Sequence, residues 1–184
     1  NVVAGNQGEN VWIDGTGTDD TVIAGNYVGL NAAGTAAVTN GGGAGLAVNN
    51  GPKRTRIGTN ADGVNDTAER NVISGNGRDG IRIKNALASD LYFGISPATG
   101  NLVLGNYIGT NAAGTAALAN GRSGVTLTDG AFANTIGGLT ATPGTGPGNL
   151  ISGNNQWGID VSGNNNLIEG NIIGLNAAGT APVR

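Results

Sequence analysis

A few short stretches of this sequence carry side chains able to bind a cation or to act on a bond. Asn60-Ala61-Asp62-Gly63-Val64-Asn65-Asp66 places oxygen-bearing side chains at alternating positions around a glycine, with Glu69 close behind. A loop of that kind can wrap calcium, a hard cation that takes several oxygen ligands. Asp14-Gly15-Thr16-Gly17-Thr18-Asp19-Asp20 is a second acidic turn. The candidate metal ligands are therefore Asp62, Asp66, Asp19 and Asp20, and calcium is the ion they would take, since oxygen is the donor on offer. The first loop departs from EF-hand spacing, and Lys53, Arg54, Arg56 and Arg70 flank it. A surface loop with local ion pairs is the stronger expectation there.

A third stretch, Gly80-Ile81-Arg82-Ile83-Lys84, alternates apolar and cationic residues, which puts Arg82 outward on a strand and in solvent. Cleaving a glycosidic bond needs two carboxylates about 5–10 Å apart. The sequence holds no histidine and no cysteine, and Asp19-Asp20 lies three repeats ahead of Arg82. No catalytic residue is assigned, and no cofactor beyond the calcium candidates is expected. Aromatic residues are only 4% of the chain, so those present mark candidate contact surfaces. Trp12 and Trp157 read as outward or corner positions on which a sugar ring can stack. Tyr92 and Phe93 lie in 84–100, the longest departure from the repeat pattern, and are expected to pack back on the body or to form a contact surface.

Composition narrows the partners. Net charge is −3 and charged residues are 11%. A nucleic-acid binder or a protein of anionic membranes needs a basic face that this chain lacks. No apolar run approaches membrane-spanning length. The 36 glycines, with abundant Asn and Thr, make the chain turn-rich, and no window sustains a helical period.

The elements that must hold these residues are repeats. Asn71-Val72-Ile73-Ser74-Gly75-Asn76 recurs in altered form at Asn1, Asn101, Asn149 and Asn166. Three unit types alternate: the NxIxGN block followed by GxxGIxI; a longer unit such as Gly105-Asn106-Tyr107-Ile108-Gly109-Thr110-Asn111-Ala112-Ala113-Gly114; and a short unit such as Asn134-Thr135-Ile136-Gly137-Gly138. Eight units averaging about 23 residues fit a solenoid, each unit burying its apolar face on its neighbours. Residues 1–184 are expected to form one parallel β-helix domain, a single strand of chain wound into about eight coils with a three-coil super-repeat.

Alternation sends Ile73, Val103, Ile136, Ile151 and Ile168 inward, one per coil, together with Ile81 and Ile83, Val125 and Leu127, and Ile159 and Val161. The GN corners predict a stack of Asn6, Asn26, Asn76, Asn106, Asn154 and Asn171. An outward stripe of Val2, Val22, Val72, Leu102, Leu150 and Leu167 needs cover, either by the folded-back long units, the first choice, or by another molecule. Those long units would recur every three coils.

The phrases NVISGN, GNYIGTNAAGTAA and NTIGG, in this alternation, resemble the right-handed parallel β-helix repeats of large secreted or surface bacterial proteins, which share the pectate-lyase-like solenoid. Gly80-Ile81-Arg82-Ile83-Lys84 is also similar to a cationic motif of polygalacturonases, and Asp19-Asp20 to their paired aspartates, but the partner histidine is absent. The resemblance implies a right-handed, extracellular or cell-surface β-solenoid. Its first expected role is structural or adhesive, with self-association or neighbouring repeats as partners and rods stacked end to end into fibres. The alternative is a carbohydrate-binding or polysaccharide-degrading module with a glycan as partner.

Overall fold

The polypeptide winds as a parallel β-helix. The computed structural model describes residues 1–85 and 97–184, so Tyr92 and Phe93 lie outside the described residues. The first turn of the helix contains β1 (Val2–Val3), β2 (Val11–Asp14) and β3 (Val22–Ile23). The second contains β4 (Tyr27–Val28), β5 (Leu46–Asn49) and β6 (Arg56–Gly58), followed by one helical turn, α1 (Asp66–Glu69). The third contains β7 (Val72–Ile73), β8 (Ile81–Lys84) and β9 (Leu102–Leu104). The fourth contains β10 (Tyr107–Ile108), β11 (Val125–Thr128) and β12 (Thr135–Gly137). The fifth contains β13 (Leu150–Ile151), β14 (Ile159–Val161) and β15 (Leu167–Glu169), and β16 (Ile172–Ile173) opens a sixth.

Every third strand pairs in parallel, giving three sheets. The first runs β1-β4-β7-β10-β13-β16, the second β2-β5-β8-β11-β14 and the third β3-β6-β9-β12-β15. Six strands at about 4.8 Å spacing make the first sheet roughly 24 Å tall. Inward positions of all three sheets meet in one core. Val28, Ile73, Ile108 and Ile151 of the first sheet, Leu46, Val48, Ile81, Ile83, Val125 and Leu127 of the second, and Ile57, Val103 and Ile136 of the third are all 0% exposed. Burial of each such side chain stabilises the fold by about 1.5–3 kcal/mol before chain entropy is counted.

Asparagine ladders join the turns, one before each sheet. Asn1, Asn26, Asn71, Asn106, Asn149 and Asn171 precede the first sheet, and each of the first five donates its side-chain N–H to the next Oδ1 at 2.8–3.1 Å. The same Oδ1 accepts the preceding residue's backbone N–H, at 3.0 Å from Asn26 to Asn71 and 2.9 Å from Asn106 to Asn149. A second ladder runs Asn6, Asn10, Asn76, Asn120 and Asn154 at 2.8–2.9 Å. A third, Asn101, Asn134 and Asn166 at 3.0 and 3.2 Å, precedes the third sheet. Corner backbone groups that would be buried without partners are thereby satisfied.

The number of coils differs from the sequence expectation. Ladder partners are 25, 45, 35, 43 and 22 residues apart, so the eight units cover five full turns and the start of a sixth. A repeat unit averages two strands, whereas a turn needs three. For the same reason the expected single column of inward residues is two: Ile73 and Ile151 belong to the first sheet, Val103, Ile136 and Ile168 to the third. The expected stack of GN asparagines divides too, Asn26, Asn106 and Asn171 in one ladder and Asn6, Asn76 and Asn154 in another.

The outward apolar stripe likewise belongs to two faces. Val72 and Leu150 lie on the first sheet and are 3% and 1% exposed, whereas Val22 and Leu167, on the third, are 56% and 48% exposed. The long units cover the first sheet. Each forms a small hairpin, bridged Leu30 to Ala37, Thr110 to Ala117 and Leu175 to Pro182, and closed by an asparagine whose Oδ1 accepts a backbone N–H four residues on at 2.9 Å. These hairpins belong to the second, fourth and sixth turns, every two turns rather than every three. They bond directly to one another, Ala112 N–H to the Gly34 carbonyl and Ala177 N–H to the Gly114 carbonyl, both at 2.9 Å. The result is a continuous ribbon over the first sheet instead of separate knobs.

Candidate functional site

With the first sheet covered, the outer face of the second sheet presents a run of polar side chains. Four of its strands have four residues, the longest of the fold, so each of these presents two outward positions. One row in register reads Trp12, Ala47, Arg82, Thr126 and Asp160; the row beside it reads Asp14, Asn49, Lys84 and Thr128. Ala47 is 0% exposed although it faces outward. A methyl group set between tryptophan and arginine in register leaves a dip there.

The two cations in these rows are paired. Arg82 donates from Nη2 to Glu9 at 2.8 Å, with both side chains less than a fifth exposed. Lys84 lies 3.5 Å from Asp129. Asp79, 4% exposed, accepts from the Thr126 hydroxyl at 2.9 Å. Arg82 is thus an anchored, half-buried group rather than the solvated side chain expected from the strand pattern; the carboxylate that holds it sits 73 residues earlier in the chain.

Two cavities meet along the face. One, of about 280 Å³, is lined by Trp12, Asn49, Asn50, Arg82, Lys84, Thr128 and Asp129. The other, of about 220 Å³, lies toward Trp157, Gln156 and Asp160 and shares Arg82 and Thr128 with the first. Together they form a polar groove with a tryptophan toward each end. Trp12 is 55% exposed and Trp157 58%, both on the surface where the sequence placed them.

No protein-family model matches the chain, and no curated protein or solved structure matches it either. Function must therefore be argued from the face itself.

The acidic turns lie elsewhere. Asp19 and Asp20 flank Arg54, which binds Asp20 through two hydrogen bonds at 2.7 and 2.8 Å and approaches Asp19 at 3.6 Å. These bonds from Arg54 hold the Asp20 carboxyl below the usual aspartate range. The Asp62 carboxylate closes its own loop, accepting the Val64 N–H at 2.7 Å and an Asn60 amide proton at 2.9 Å. Asp66 accepts from the Thr59 hydroxyl, and Glu69 pairs with Arg56 at 3.3 Å. Among the described residues no three His, Cys, Asp or Glu side chains come together as a metal-binding group. No helix among them is long and apolar enough to cross a membrane.

Glu9, Asn49, Asp79 and Asp129 were not singled out from the sequence. A usable signal was present for one of them: in GLAVN, GIRIK and GVTLT, Asn49 takes the place of Lys84 and Thr128.

Proposed function

We infer that this protein is a non-enzymatic, adhesive β-solenoid segment of a bacterial extracellular or cell-surface protein, and that it holds carbohydrate on the outer face of its second sheet. The bacterial surface setting rests on the resemblance of its repeats. The carbohydrate rests on one observation, the polar groove with exposed Trp12 and Trp157 toward its ends. Exposed indoles offer flat apolar area to sugar rings while polar side chains between them bond hydroxyls. Binding is favoured over cleavage because three carboxylates beside the groove, Glu9, Asp79 and Asp129, are each tied to a neighbour, whereas cleavage needs two acting on one bond.

A glycan array probed with the whole chain tests this. Saccharide binding that weakens about tenfold on Trp12→Ala or Trp157→Ala is expected, roughly the loss of one stacked ring. No binding to any glycan contradicts the reading, and release of unsaturated uronides from pectin would make the protein a lyase.

A further inference from the structure

Two polar atoms of side chains that line the groove are buried and unpartnered. Asn49 is 3% exposed and its Oδ1 has no hydrogen-bond partner. Arg82 spends Nη2 on Glu9, and its Nε is likewise buried with no partner. A buried polar atom without a partner costs free energy comparable to a lost hydrogen bond, so such atoms are rare unless something else completes them. Both belong to side chains lining the cavity of about 280 Å³. They are diagonal neighbours on one face, since Ala47 is the register partner of Arg82 and Asn49 lies two residues further along β5.

The two atoms are complementary in kind. Asn49 Oδ1 needs a donor, and Arg82 Nε needs an acceptor. A hydroxyl serves either role, and a pair of neighbouring hydroxyls serves both. Trp12 borders the same cavity and is 55% exposed, which supplies an apolar wall for the carbon face of a ring. The charges that border the cavity, Arg82 with Glu9 and Lys84 with Asp129, already cancel in pairs. An anionic sugar would find no uncompensated cation there, and displacing either carboxylate would leave a partly buried charge unpaired.

We propose that this cavity is a binding site for one neutral sugar unit, whose ring lies against Trp12 and whose adjacent hydroxyls donate to Asn49 Oδ1 and accept from Arg82 Nε once both side chains turn toward the cavity. The proposal rests on the carbohydrate reading above and adds where the sugar sits and that it is uncharged.

The test titrates the whole chain by calorimetry with neutral trisaccharides of glucose, mannose and galactose, and with trigalacturonate. At least one neutral trisaccharide should bind, and more tightly than trigalacturonate. Trp12→Ala, a surface change that leaves the core intact, and Asn49→Leu should each weaken it about tenfold. Leu139→Ser, at an 84% exposed loop position, should leave affinity unchanged, and circular dichroism identifies a variant that fails to fold. Tighter binding of trigalacturonate overturns the neutral assignment. Binding that survives both Trp12→Ala and Asn49→Leu but is lost in Trp157→Ala moves the glycan along the groove, overturning this site while the broader reading stands. If no saccharide binds at all, both fall.

Discussion

Asn106→Leu should lower the unfolding free energy by about 4 kcal/mol, measured by denaturant titration of the circular dichroism signal. The side chain is 0% exposed and occupied on every side. Its Oδ1 accepts the Asn71 backbone N–H at 3.2 Å and the Asn71 amide at 2.9 Å. Its Nδ2 donates to the Ile57 carbonyl at 2.9 Å and to Asn149 Oδ1 at 3.1 Å. Leucine has similar volume, so little cavity forms; the loss is the partners left behind. Each buried orphan costs about 1–3 kcal/mol, and at least two are created on different turns. Against a total stability of about 5–15 kcal/mol that comes near to unfolding the protein. Asn111→Ala is the contrast. Asn111 also bonds backbone, to Thr115 N–H at 2.9 Å, but in an exposed hairpin where water replaces it, so the cost should be about 1 kcal/mol. Equal losses in the two variants would mean that the ladder is no more than another set of surface hydrogen bonds.

Gly58→Ala should be as damaging, about 4 kcal/mol or loss of soluble protein. Gly58 ends β6 at φ +104°, and a Cβ there would overlap the carbonyl oxygen of Leu104, its register partner on β9, and crowd the Asn106 amide at 2.8 Å. Two effects add: a backbone conformation that L-residues avoid and a collision with main chain that has no room to retreat. Gly42 separates them. Its φ is +101°, but nothing lies within 4 Å of its added Cβ, so Gly42→Ala meets the conformational cost alone, about 1–2 kcal/mol. If the two variants melt together, close approach between turns contributes nothing and the second and third turns are not stacked as described.

The sequence made the solenoid legible because like residues lie over like in it. Ile81 over Val125 and Ile83 over Leu127 follow from alternation once the repeats are aligned. The length of a turn was illegible for a chemical reason. All three corners are built on bonded asparagine amides, so Asn71-Val72-Ile73 leading into the first sheet and Asn101-Leu102-Val103 leading into the third look the same. Self-similarity therefore carries the period of a strand, not of a turn. The groove was half legible. Trp12, Trp157 and Arg82 stand out by type and register, but Glu9 meets Arg82 across 73 residues, and the unpartnered Oδ1 of Asn49 depends on the side chains that close over it. Local pattern cannot report either one.

Side-chain amide hydrogen exchange, followed by nitrogen-resolved NMR, tests the stacked ladders most directly. The Nδ2 protons of Asn71, Asn106 and Asn149 should exchange as slowly as the core backbone amides, while those of Asn31 and Asn111 exchange at the rate of free asparagine. Rapid exchange at Asn71, Asn106 and Asn149 under folding conditions would contradict the ladder and, with it, the three-stranded turn on which the groove is built.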